Sequence, residues 1–257
     1  MRQSGAMAPD GLTRAVRQRL GLGRLLPLGE ASDGAWLAEK AADSVLRQAA
    51  AQVAGVGLGP LRIGLADPGT AAAPAVPPPP GALPPGPLRI EADFIATAGG
   101  EPLPHRAERL RIALREAASA RLGLAVTAVD LRVTDLVEAG QEPVATTPPD
   151  EAGGDGFEEA YDDAADAGSA RPEESQGGPQ DGDWAARAAA AATSVAGVAR
   201  LTHTLGAPVR MGDGHVQVEL ATAAGHRALA VAIAVRRAVA ASQDGRPTVT
   251  VLVTRVE

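Results

Sequence analysis

Val53-Ala54-Gly55-Val56 recurs unchanged as Val195-Ala196-Gly197-Val198, and Val129-Asp130-Leu131-Arg132-Val133-Thr134 is echoed by Val249-Thr250-Val251-Leu252-Val253-Thr254. The first pair closes a helical pattern and opens a strand; the second sits in a closing strand. The elements between them fall in the same order both times, which predicts an internal repeat. A weaker echo links Asp33-Gly34-Ala35-Trp36 to Asp181-Gly182-Asp183-Trp184. The expected fold class is α+β. Two tandem helix-strand-strand-helix-strand modules, each a small sheet with helices on one face, are joined by a disordered linker.

Working outward, the first module (29–138) reads as a helix over Trp36–Gln52 capped by Ser32 or Asp33, strands at Leu61–Leu65 and Leu88–Phe94, a helix over Pro104–Leu122 and a strand at Val129–Val133. Gly123 supplies the stop of the second helix. The second module (184–257) reads as a helix over Trp184–Ser194, strands at Val198–Leu205 and His215–Thr222, a helix over His226–Ser242 and a strand at Thr248–Val256. Asp213-Gly214 suits a tight turn. A Pro-rich insert, 67–87, contains four consecutive prolines, Pro77 to Pro80. Polyproline is extended and stiff, so the insert is expected to project outward from its hairpin.

Charge divides the chain. Residues 1–28 form a basic N-terminal arm of net charge +4, and residues 139–183 read as an acidic linker, with 13 acids and one base between 141 and 183. High charge with few apolar side chains cannot offset chain entropy by burial, so this stretch is expected to be disordered and 184–257 to fold alone. Residues 184–257 carry +4. The linker is expected to mask the basic parts, and salt to release it.

The chain has no Cys, which removes disulfides, thiolate chemistry and Cys-ligated metals. It shows no signal-peptide pattern and no run of 18 apolar residues, pointing to the cytoplasm. Apolar content is 45%, mostly Ala, Val and Leu, with five aromatics. Lys40 is the single lysine in an Arg-rich chain, a bias typical of GC-rich bacterial genomes.

Catalytic and cofactor patterns are missing. His105, His203, His215 and His226 lack the i, i+4 spacing of a helical metal-ligand pair. No Gly-x-Ser-x-Gly occurs. Glu91 and Asp93 fall on the solvent side of an alternating strand. Gly55-Val56-Gly57-Leu58-Gly59 follows a helix and precedes a strand, the reverse of a phosphate loop, and reads as a helix stop. Neither cofactor nor metal is expected, and a small basic surplus without interleaved aromatics argues against nucleic acid. Two groups suit interaction. Arg14, Arg17, Arg19 and Arg24 alternate with apolar residues in a short amphipathic stretch that can dock on module one, on a protein partner or on an anionic membrane surface. Phe157 and Tyr161, at i, i+4 in the acidic linker, suit folding on a partner.

The element order, with Val-x-Gly-Val after the first helix, resembles the bacterial alkaline-shock-protein family of envelope stress proteins. The likeness covers about 60 residues in module two, from Val195-Ala196-Gly197-Val198 through Val216–Leu220 and the helix from His226 to Val256. The whole-chain layout, through Gly21–Leu28, Pro77–Pro80 and Leu83–Pro87, resembles an uncharacterised streptomycete, hence actinobacterial, family that carries a borrowed nucleopolyhedrovirus p-ten label. The first resemblance implies a non-catalytic, self-associating protein near the membrane. The functional expectation is a scaffold or interaction protein, cytoplasmic or membrane-peripheral. The alternative is a small-ligand-binding or enzyme accessory protein that uses a cleft between modules.

Overall fold

The computed structural model describes residues 21–138, 143, 181–212, 214–243 and 245–257. They form a mixed α+β fold with two sheets. In chain order the strands are β1 (Leu25–Pro27), β2 (Ala35–Ala38), β3 (Val56–Leu65), β4 (Leu88–Thr97), β5 (Val126–Val137), β6 (Val198–Leu201), β7 (Val209–Gly212), β8 (His215–Thr222) and β9 (Thr248–Val256). The helices are α1 (Glu39–Ala50), α2 (Leu103–Glu116), α3 (Asp181–Thr193) and α4 (Ala228–Ser242).

The three-stranded sheet runs β3-β4-β5; β3 and β4 are antiparallel, β4 and β5 parallel across the α2 crossover. The larger sheet contains the same pattern: β6 is antiparallel to β8, and β8 parallel to β9 across α4. Gly55 and Gly197 end α1 and the turn after α3 with positive φ, +73° and +92°. A side chain at Gly197 would collide with Val231 and His226. This explains the glycine in both Val-Ala-Gly-Val tetrapeptides.

The sheets do not divide where the sequence does. Trp36 begins no helix. Ala35–Ala38 is a strand, and β2 lies parallel beside β9 with Trp36 opposite Leu252. β1 pairs antiparallel with β2. The last residues of the arm and the first of module one therefore complete the sheet of residues 184–257. Hydrophobicity explains the correction: Leu25, Leu26, Leu28, Trp36 and Leu37 are almost wholly buried, and a run buried on both faces suits a central strand as well as a helix. Ser32 and Asp33 do not cap α1. Its N-cap is Ala38, without a side-chain bond, while the Asp33 carboxylate accepts from the Glu30 N–H.

The Pro-rich insert does not project outward. The indole N–H of Trp36 donates to the Leu83 carbonyl, the Thr250 hydroxyl to that of Pro77, and Leu83 N–H to that of Leu25. Val76 and Pro79 are buried. The stiff segment caps the Trp36–Leu252 face of the larger sheet where β2 and β9 lie side by side. Its peptide groups find partners across the seam, which is why a span with so little secondary structure packs against a core.

Smaller differences have local causes. Val198–Leu205 ends at Leu201, and the separate strand β7 follows. The helix over Pro104–Leu122 is α2 plus a π-helical turn, Ala117–Leu122, closed by Gly123 at φ +92°. Helix α4 starts at Ala228. Gly57 and Gly59 lie within β3, where a side chain at Gly59 would press on the Asp93 backbone. One continuous hydrophobic core runs from Leu22 to Val253 through both sheets.

Candidate functional site

Two surfaces stand out. The first is the free side of β5, the terminal strand of the three-stranded sheet. Its register on β4 skips Thr127 and Thr134. Val126, Val129, Leu131, Val133 and Leu136 therefore fall on one face, opposite Leu88, Ile90, Ala92, Phe94 and Ala96. Helix α2 covers the early part of that face and anchors there through Arg111, whose Nε donates to the Val129 carbonyl at 3.2 Å. Beyond it the cover stops. Val129 is buried, Val133 is 37% exposed and Leu136 55%.

The opposite face of this sheet is a charged lattice. Arg132 grips Asp93 through two bonds of 2.8 and 2.7 Å, and its guanidinium holds the Asp93 carboxyl below its ordinary value. Arg89 pairs with Asp130 at 3.4 Å. Glu91 is exposed, as alternation predicts for a solvated face.

The second surface is a cleft of about 700 Å³ between the start of α1 and the ends of β6 and β9. Lys40, Arg200, His203 and Arg255 line it, with the hydroxyls of Thr202 and Thr254 on its wall. Those hydroxyls bond each other at 2.8 Å. Arg200 pairs with Glu257. Among the described residues, neither Lys40 nor Arg255 has a carboxylate at ion-pair distance.

A buried carboxylate shapes the cleft's His203 wall. Glu219 on β8 has a fully buried side chain and accepts from the Leu205 N–H at 3.1 Å and from Arg210 at 3.4 Å. Arg210 also donates to the Leu205 carbonyl. Burial pushes the Glu219 carboxyl above its ordinary value, against the pull of the Leu205 N–H and Arg210. The raised value belongs to the folded state, so protonation favours folding. The stability from this group is complete below the ordinary glutamate range and is lost as pH rises through the raised value. Unfolding measured against pH for the chain and for Glu219→Gln checks this. The stability of the unsubstituted chain relative to the variant should fall as pH rises from the ordinary glutamate value toward neutral. A pH-independent difference would refute it.

Among the interaction residues expected from sequence, Arg24 is held by Glu39, which accepts from its backbone N–H and its guanidinium and also from the Ile63 N–H. Arg14, Arg17, Arg19, Phe157 and Tyr161 lie outside the described residues. The four histidines are not brought together. His105 and His226 are exposed, His203 lines the cleft, and His215 bonds the Thr248 hydroxyl at 2.8 Å while burial lowers its pKa. No cluster of metal-ligating side chains occurs among the described residues, and no helix there is long and apolar enough to cross a membrane. Sequence reasoning offered a cleft between modules as its alternative but named none of the residues that line this one. One signal was visible: the single lysine of an Arg-rich chain lies in it.

No family model, no curated protein and no solved structure matches the chain.

Proposed function

We propose that this protein is a non-catalytic, self-associating interaction protein made of two tandem copies of one helix-strand-strand-helix-strand unit, and that it associates through β5. The observation that carries the reading is the palindromic apolar pattern of β5. About Leu131, Val129 mirrors Val133 and Val126 mirrors Leu136. Two copies laid antiparallel with Leu131 opposite Leu131 would match these side chains on one face. On the other, Asp130 of each copy would stand opposite Arg132 of the other, an attractive cross-strand pair. Apart from the Val129 carbonyl, which Arg111 bonds, an edge strand of this length presents a row of unpaired peptide groups, which strand addition satisfies.

The shared order of the two sheets supports the tandem reading. The envelope-stress part rests on the alkaline-shock resemblance, and the membrane-peripheral part on that resemblance and on the basic stretch bearing Arg14, Arg17, Arg19 and Arg24. Within 139–180 only Pro143 is among the described residues, and the linker stays part of the proposal.

Charge reversal tests the register. Asp130→Arg and Arg132→Asp each place like charges opposite one another and should weaken self-association by roughly tenfold. An equimolar mixture of the two variants restores both attractive pairs and should associate as the unsubstituted chain does. Sedimentation velocity reads all three. A monomeric unsubstituted chain, or a mixture no stronger than either variant, defeats the proposal. The cleft favours a second reading, that the protein binds a small ligand.

A further inference from the structure

We infer that the cleft between α1 and the ends of β6 and β9 is a binding site for a multiply charged oxyanion, a phosphate or diphosphate group. The inference deepens the ligand-binding reading and is independent of strand pairing at β5. Two observations converge. Lys40, Arg200, His203 and Arg255 come from three separate stretches of chain onto one concavity. Lys40 and Arg255 have no carboxylate partner among the described residues, so among those residues their mutual repulsion is uncompensated. An anion between them relieves it, and charge-assisted bonds from Lys and Arg are the strong ones.

Thr202 and Thr254 stiffen the wall: their hydroxyls bond each other at 2.8 Å, and the Thr254 hydroxyl also donates to the Leu220 carbonyl at 3.3 Å. Leu22 and Ala41, both buried, form an apolar floor that restricts water on one side. A cleft of about 700 Å³ is in the size range of small-molecule sites. The wall bearing Thr202 and His203 is held by backbone bonds to β8, Thr202 N–H to the Glu219 carbonyl and Glu219 N–H to that of Pro208. The site is therefore assembled by folding.

The single lysine makes the test direct. An N-hydroxysuccinimide ester acylates only the Lys40 amine and any free N-terminus, and peptide mass spectrometry separates the two. In the full-length chain at low salt, pyrophosphate should slow acylation of Lys40 and leave the N-terminus unaffected. Calorimetry should show Lys40→Gln and Arg255→Gln each weakening pyrophosphate binding by roughly tenfold. Arg237→Gln, on exposed α4 surface outside the cleft, should bind as the unsubstituted chain does. Both cleft side chains are exposed, so the variants are expected to fold, and circular dichroism checks it. Sedimentation with phosphatidic-acid vesicles identifies the source. Vesicle binding that pyrophosphate displaces assigns a lipid headgroup, and no vesicle binding beside intact pyrophosphate binding assigns a free anion. Unprotected Lys40, or equal pyrophosphate affinity in all three variants, overturns the site. Loss of the site with self-association intact leaves the β5 proposal standing, and the converse holds.

Discussion

A fragment comprising residues 181–257 is expected not to fold as a monomer, and mixing it with a fragment comprising residues 1–140 should restore a native-like complex. The expectation from sequence was the opposite, since linker composition marks a boundary ahead of Trp184. The reason for the reversal is strand β2. In the whole chain β9 lies between β8 and β2, and Val249 through Val253 are buried. Without residues 25–38, β9 becomes an apolar edge strand with its peptide groups exposed, an arrangement that drives aggregation. Leu25, Leu26, Trp36 and Leu37, all buried, contribute about 1.5–3 kcal/mol each. Their loss is comparable to the whole stability of an ordinary domain, roughly 5–15 kcal/mol. Far-ultraviolet dichroism and sedimentation of each fragment, alone and mixed, read the outcome. A monomeric 181–257 fragment with cooperative unfolding would show that β2 is dispensable.

Trp36→Ala should carry the largest effect of any single substitution, a loss of about 3–5 kcal/mol. Trp36 is 1% exposed. It stands beside Leu252 in the sheet, and its indole N–H is bonded to Leu83 at 3.1 Å. Removing it opens a cavity under the Pro-rich insert and leaves the Leu83 carbonyl without that donor. Trp36→Phe retains much of the packing but not the bond, and should cost roughly 1–3 kcal/mol, the penalty for an unsatisfied buried polar group. Urea unfolding separates the two variants. Amide exchange adds a spatial check, since protection should drop in β9 and in the insert together. An alanine variant within about 1 kcal/mol of the unsubstituted chain, an ordinary surface effect, would mean that the insert is held some other way.

These two results mark where the sequence was legible. Alternation in Leu88–Phe94 fixes which side chains of β4 face the core, because a strand's side chains alternate whatever surrounds it. The helical periodicity of Leu110 and Leu114, the stop at Gly123 and the glycine of both Val-Ala-Gly-Val tetrapeptides are likewise local. Each depends on backbone geometry within a few residues. The order helix, strand, strand, helix, strand over 39–137 followed from such signals, and so did the solvated face bearing Glu91 and Asp93, whereas β1, β2 and β7 did not.

Tertiary structure decided the rest. Leu25–Pro27 and Ala35–Ala38 are too short to show a period, and their strand state exists only because β9 offers an edge. The insert's prolines dictate an extended chain, but whether that chain meets solvent or a sheet depends on the Trp36 and Thr250 donors, distant in sequence. The cleft is the extreme case. Lys40, Arg200 and Arg255 carry no motif, and nothing in their spacing brings them together. Sequence determined the local elements, because hydrophobic period and glycine backbone freedom act over a few residues. Only the packing of β1 and β2 beside β9 decided the larger sheet, because hydrogen bonding and burial between distant segments have no local signature.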